Sequence, residues 1–229
     1  MVKFDIITIF PEIFGSYFKE SIIKRAIKKS LISVNIHNLR DFSKESHRAV
    51  DDKPYGGGRG MVLKIESVYR AVKFLKKQKA KSKNKKTKVI LFSPRGKKFN
   101  QKTAHQFSKL DQLILICGRY EGVDERVAKY IADSNISIGD FVLMGGELPA
   151  LMLIETVSRL IPGVIGKSEE MIKERITKEK GFIEYPQYTR PDVFFPEKNV
   201  CWRVPKILLS GHHKKIKEWQ KKHRKIIEK

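Results

Sequence analysis

Three apolar runs, each stopped by a turn rich in glycine or proline, constrain this chain most: KVILFSPRG at 88–96, LILICG at 113–118 and ISIGDFVLMGG at 136–146. They are continuous in hydrophobicity rather than alternating, which is the pattern of strands buried on both faces. VKFDIITIF at 2–10, stopped by Pro11, and VNIHNL at 34–39 add two further strands. Helix-length segments fall between them, near 12–28, 64–79, 100–109 and within 119–132, and a long helix follows GGELPALMLIETVSRL. Strands alternating with helices in this way predict an α/β fold built on a parallel sheet covered on both sides.

In such sheets ligands bind where strands emerge at their carboxyl ends. The turns SPRG (93–96), CGRYEGVDER (117–126) and IGDFVLMGGELPA (138–150) all lie there, so they are expected to share one pocket. Taken singly, each is also readable as ordinary turn chemistry. No CxxC pair, HExxH, GxSxG or Walker lysine motif is present, and no Rossmann glycine fingerprint follows the first strand. Zinc hydrolases, serine hydrolases and P-loop enzymes therefore receive no support. His212 and His213 are adjacent and point apart on a helix, so no metal ligands are assigned.

The charge is unevenly spread. The net charge is +23, and residues 73–88 hold nine Lys and no acid, while residues 206–229 hold nine Lys or Arg against Glu218 and Glu228. Such concentration favours a polyanionic partner, most simply a nucleic acid, the alternative being a solvated basic surface. A hydrophobic content of 41% excludes general disorder. Cys117 and Cys201, each beside apolar neighbours, read as buried free thiols of a reducing cytosol. No apolar run approaches the roughly 18–20 residues that cross a membrane. A cytoplasmic protein without a membrane partner is expected.

The division expected is 1–162 for the α/β domain, 163–181 for a polar linker or lid, and 182–229 for a small, mainly helical C-terminal domain. Its last helix carries Ile216, Trp219 and His223 on one stripe, read as a small core.

PYGGGRGM (54–61), SPRG, CGRYEGVDER, SIGDFVLMGGELPA, SRLIPGV (158–164), EYPQYTRP (184–191) and VPKILLSGHH (204–213) occur in the order of one family. Over essentially its whole length the chain resembles the bacterial tRNA (guanine-N1)-methyltransferases of the SPOUT superfamily. The resemblance implies a deep trefoil knot, a homodimer with active sites at the subunit interface, S-adenosylmethionine as methyl donor, assistance from Mg²⁺, and tRNA as substrate. The base methylated is the guanine immediately 3′ to the anticodon.

Carried over by motif, the cofactor pocket falls on Ser93, Pro94, Gly96, Gly118, Tyr120, Glu121, Ile138, Gly139, Asp140, Phe141, Val142, Leu143, Gly145 and Gly146. Glu121 would attract the sulfonium, unless it merely pairs with Arg119 or Arg126. Tyr55, Gly56, Gly57, Gly58, Arg59, Arg190 and His212 would hold RNA; most relatives carry proline at the position of Arg59. Arg159 would stabilise charge on guanine O6, or else be an ordinary helix-surface arginine. The family's aspartate base has no direct counterpart: the count back from Pro186 lands on Ile176. Allowing for an apparent two-residue insertion places Glu174 there, with Glu170 and Glu179 as rivals. Two other readings stay open, a non-catalytic basic RNA-binding protein of the same fold and a SPOUT methyltransferase acting on another RNA site.

Overall fold

The computed structural model describes residues 1–77, 86–165, 177 and 181–227. Glu170, Glu174 and Glu179 lie outside the described residues, as do Lys79, Lys81, Lys83 and Lys85 of the lysine run. The chain divides into two compact units, Met1–Glu169 and Glu170–Lys229.

The first unit holds a five-stranded sheet made of β1 (Val2–Thr8), β2 (Ile32–Asn38), β5 (Thr87–Lys98), β6 (Gln112–Ile116) and β7 (Ser134–Ser137), in the order β2-β1-β6-β5-β7. Every pairing is parallel, with Phe4 opposite Val34 and Leu113, and Ile90 opposite Leu115 and Ser134. A short antiparallel ladder, β3 (Asp51–Asp52) with β4 (Val62–Leu63), stands apart.

The side-chain alternation of a strand explains why the apolar runs are continuous. Phe4, Ile6, Ile90, Leu113 and Leu115 face one way, onto α1 (Ser21–Lys28), α3 (Gln101–Phe107) and α5 (Glu147–Ser158) through Ala26, Phe107, Leu153 and Val157. Ile7, Val89, Leu91, Ile114 and Ile116 face the other way, onto α2 (Ile65–Lys77) and α4 (Glu125–Tyr130) through Val68, Val72, Leu75 and Val127. Each such side chain contributes roughly 1.5–3 kcal/mol when fully buried, and both faces are paid for in this way.

Two expected elements differ. The helix expected near 12–28 forms only over Ser21–Lys28; Pro11–Phe14 and Tyr17–Lys19 are separate 3₁₀ turns. Glu20 is extended and Ser21 has φ +53°, so the chain is reset before the helix begins. Phe14 and Phe18 stack at 5.9 Å against the core, and that packing prevails over helical continuity. The strand expected at 88–94 runs to Lys98, but its pairing with β7 breaks after Phe92 and resumes at Lys97. SPRG is the excursion between.

The second unit is only partly helical. Beside α6 (Lys206–Leu209) and α7 (His213–His223) it contains β8 (Phe182–Glu184) paired antiparallel with β11 (Lys225–Ile227), and a hairpin of β9 (Val193–Glu197) with β10 (Val200–Arg203). The expected stripe on α7 does pack: Trp219 stacks on His223 at 4.2 Å and meets Tyr188 edge-on, with Ile216 half-buried. Cys201 lies in the hairpin and is exposed, not buried as its apolar neighbours suggested, because a two-stranded ribbon has no interior. Cys117 is buried as expected. Among the described residues no helix is long and apolar enough to cross a membrane.

One charged group is sealed in the sheet. Asp5 is fully buried and accepts hydrogen bonds from Asn35 Nδ2 (3.1 Å) and Gln112 Nε2, with His37 Nε2 at 2.9 Å and Lys3 Nζ at 3.1 Å. Burial alone would raise its carboxyl, but the bonds from His37, Gln112 and Lys3 outweigh it and hold the group below its usual value of 3.8. A depressed folded value means that the stabilisation is present above the unfolded value and is lost as pH falls through the folded one. Chemical denaturation from pH 6 to pH 2 is therefore expected to show stability falling below about pH 4. Asp5→Asn should be less stable at pH 6 and show a shallower fall; a profile of unchanged shape would show that Asp5 does not set it.

Candidate active site

The carboxyl ends of β5, β6 and β7 open into one cavity of about 530 Å³. Of the residues expected there, Ser93, Pro94, Gly118, Tyr120, Glu121, Ile138, Phe141, Val142, Leu143, Gly145 and Gly146 line it. Gly96, Gly139 and Asp140 do not. A Cβ on Gly96 would stand 2.6 Å from the β7 backbone at Asn135 and Ile136, so its role is to let two strands cross closely. Gly139 sits under the Phe141 ring, and the Asp140 carboxylate pairs with Lys98.

Gly146 shows what shapes the pocket floor. Its N–H donates to Gly118 O at 3.0 Å, and a Cβ there would lie 2.6 Å from Cys117 Cα. The loop after β7 is thus pressed against the end of β6, and Arg119 and Gly145 form a bridge beside the contact. Next in sequence, Glu147 opens α5 with its carboxylate almost completely buried. It accepts from Thr8 Oγ1 at 2.8 Å and from Arg119 Nε at 2.9 Å, and the Arg119 guanidinium lies 4.9 Å from the Phe10 ring centroid. A negative charge at a helix N-terminus also complements the helix dipole. Two strand ends and the start of a helix are tied at this point. Burial, and after it the Glu147 carboxylate, push the Cys117 thiol up, so Cys117 is an inert packing group.

Neither anticipated ion pair of Glu121 forms. Arg119 pairs with Glu147, and Arg126 turns back to Asp124, the cap of α4, at 2.6 Å. The hydrogen bond from Arg126 holds the Asp124 carboxyl down, against a smaller opposing effect of burial. Glu121 therefore presents its carboxylate at the cavity without an ion pair among the described residues. Beside it Tyr120 is held at φ +59°, a left-handed conformation uncommon outside glycine that clusters at functional sites.

The glycine loop at 54–61 is stitched to this rim. Glu121 N–H donates to Met61 O at 3.0 Å, Leu63 N–H to Gly122 O at 3.0 Å, and Asp124 N–H to Leu63 O at 3.0 Å. The β3–β4 ladder closes the base of the loop, with Lys64 bridging Glu45 (2.6 Å) and Asp52 (3.3 Å). Tyr55 and Arg59 are exposed, and Gly56, Gly57 and Gly58 all have positive φ, a course that side chains would resist. The expected RNA loop and the expected cofactor pocket are thus neighbours.

Arg159 is not in the pocket of its own chain. It caps α5 at the end opposite Glu147, one helix of 12 residues, or about 18 Å, away. Arg190 and His212 are exposed in the second unit. The sequence reading missed the Thr8–Glu147–Arg119 tie and the Arg95–Glu125 ion pair at the cavity wall. The one signal for the tie was an acid opening an otherwise apolar helix, ELPALMLI.

Two substitutions test this construction by equilibrium denaturation. Arg119→Ala leaves a buried carboxylate unpaired and is expected to cost about 3–5 kcal/mol. Gly146→Ala overpacks the crossing and is expected to cost about 1–3 kcal/mol. Losses below about 0.5 kcal/mol, the level of ordinary surface changes, would show that the crossing does not hold the unit together.

Comparison with known proteins places this geometry. A profile of the tRNA (Guanine-1)-methyltransferase TrmD family matches residues 2–228. The tRNA (guanine-N(1)-)-methyltransferase of Dictyoglomus turgidum is 50% identical over 222 residues, covering 97% of this chain and 84% of that one. The protein of the same name from Clostridium novyi is 49% identical over 220 residues, covering 96% and 85%. Among solved structures, the tRNA (m1G37) methyltransferase from Aquifex aeolicus superposes with a TM-score of 0.77 at 42% identity, over 97% of this chain and 88% of that one. The chain belongs to the tRNA (guanine-1)-methyltransferase family.

Proposed function

We propose that this protein methylates N1 of the guanine immediately 3′ to the anticodon of tRNA, with S-adenosylmethionine as donor, and that it works as a homodimer in the cytoplasm. The observation that carries the reading is the junction of the strand-end cavity with the open loop at 54–61, in a chain whose relatives bear this activity by name.

The cavity residues suit the donor. Pro94, Ile138 and Leu143 offer apolar surface for a planar ring, loop amides and carbonyls offer its edge hydrogen bonds, and the Glu121 carboxylate, without an ion pair among the described residues, suits a nearby cation. When bound, S-adenosylmethionine supplies an electrophilic methyl group on its sulfonium. On the acceptor side, N1 must lose its proton, and negative charge then grows on O6. Glu174 is the proposed base, with Glu170 and Glu179 as rivals, and Arg159 the proposed O6 partner. Among the described residues no three His, Cys, Asp or Glu side chains converge on a metal site.

The distance of Arg159 from its own pocket supports a site completed by a second copy. So does α5, which is apolar well beyond its core face: Leu148 and Met152 are exposed, as are Ile13 and Tyr17 of the 3₁₀ turns, and Tyr17 donates to Glu155 of the same helix. A trefoil knot is proposed on the return of the chain from edge strand β7 across the end of β6 at Gly118 and Gly146.

Incubation with labelled S-adenosylmethionine and a tRNA transcript should give 1-methylguanosine, and replacing the target guanine should abolish it. Retained tRNA binding without incorporation would support a binding module instead, and methyl at any other atom a different specificity. Glu174→Gln should lower kcat by about 10²–10⁴-fold with tRNA affinity little changed, and near-normal turnover would move the base to Glu170 or Glu179. Arg159→Ala should cost about 10²–10³-fold in kcat. Mixing Arg159→Ala with Glu121→Ala chains should restore activity if two copies share each site; no restoration on exchange of subunits would refute sharing.

A further inference from the structure

The β9–β10 hairpin carries large aromatic side chains that its own fold does not cover. Phe194 and Trp202 are direct cross-strand partners with ring centroids 5.8 Å apart, and they remain 51% and 63% exposed. Phe195, at the register shift of the same ribbon, is 65% exposed. A cross-strand aromatic pair steadies a two-stranded ribbon, which is marginal by itself. That accounts for the contact between the rings, but not for their uncovered faces or for Phe195, which is outside the pair. The bulge re-aims side chains at that point.

The charge of the unit that carries these rings points to the occupant. Residues 181–227 hold eleven Lys or Arg against four Asp or Glu, and the hairpin itself contributes Lys198 and Arg203 beside Glu197. Rigid aromatic faces on a cationic unit match the requirements of an unpaired nucleotide, whose base stacks while its phosphate is neutralised. A protein surface would need no such excess of positive charge.

We propose that Trp202 and Phe194 form a stacking platform for an unpaired base of the bound RNA, adding shape recognition to the salt-dependent attraction of the lysines. This rests on tRNA being the substrate. Positioning by stacking is independent of the methyl-transfer chemistry, so it bears on tRNA affinity and KM rather than on kcat.

The chain has two tryptophans, so in the full-length Trp219→Phe variant Trp202 is the sole tryptophan fluorophore. The tRNA transcript is expected to quench its emission, while a fully paired RNA duplex at equal phosphate concentration leaves it unchanged. Trp202→Ala should raise Kd for the transcript by about 5- to 150-fold at every salt concentration. The slope of log K against log salt should stay the same, because no phosphate contact is lost. Trp202→Phe should keep most of the affinity, and kcat at saturating tRNA should stay within about twofold. Emission indifferent to tRNA, or an unchanged Kd in Trp202→Ala, overturns the platform. Loss of self-association in Trp202→Ala with tRNA affinity intact overturns it too, assigning the hairpin to protein contact. The fluorescence arm needs no change at Trp202 and so does not depend on the variant folding. Methylation by the unaltered chain is read in parallel: its absence counts against the proposed function, whereas its presence with an indifferent hairpin counts only against the platform.

Discussion

The buried carboxylate of Glu147 is the constraint on which the first unit turns. A charge withdrawn from water has to be paired and hydrogen-bonded, and Glu147 meets that demand through Thr8 at the end of β1 and Arg119 after β6. Because Glu147 is the first residue of α5, the demand also fixes where that helix begins. Gly145 and Gly146 are thereby held against Cys117 and Gly118, and the pocket floor follows. Satisfying one charge thus sets the ends of β1 and β6 against the start of α5.

That tie also frees Glu121. Arg119, the nearest cation in sequence, is engaged by Glu147, and Arg126 is engaged by the helix cap Asp124. The acid at the cavity has no ion pair among the described residues, while its backbone is bound to Met61. The glycine loop and the strand-end cavity are joined by backbone bonds, which position without consuming side chains. The second unit divides its labour differently, with positive charge spread along α7 and the hairpin and with aromatic rings concentrated in the ribbon.

Much of this was legible from residue order. A strand buried on both faces must be apolar throughout, so VILF, LILI and their neighbours announced a parallel sheet, and the glycine turns announced the rim of a cavity. The family motifs then supplied roles for most of the lining. Where the reading slipped, a long-range contact decided the outcome. Phe14 and Phe18 chose core packing over a longer helix, and Cys201 landed on a ribbon with no inside. No local pattern encodes such partners.

The sequence by itself determined the class of fold, the cationic character that suits a nucleic acid, and the turns from which a site would be made, because periodicity, charge and backbone freedom are local properties. Only the tertiary structure decided which acid is buried and which is free, and that Arg159 stands a helix length from its own pocket. It also decided that the aromatics of the C-terminal unit divide between a small core at Trp219 and an open face at Trp202. Each of these depends on which distant residues meet, and burial, pairing and exposure have no meaning until they do.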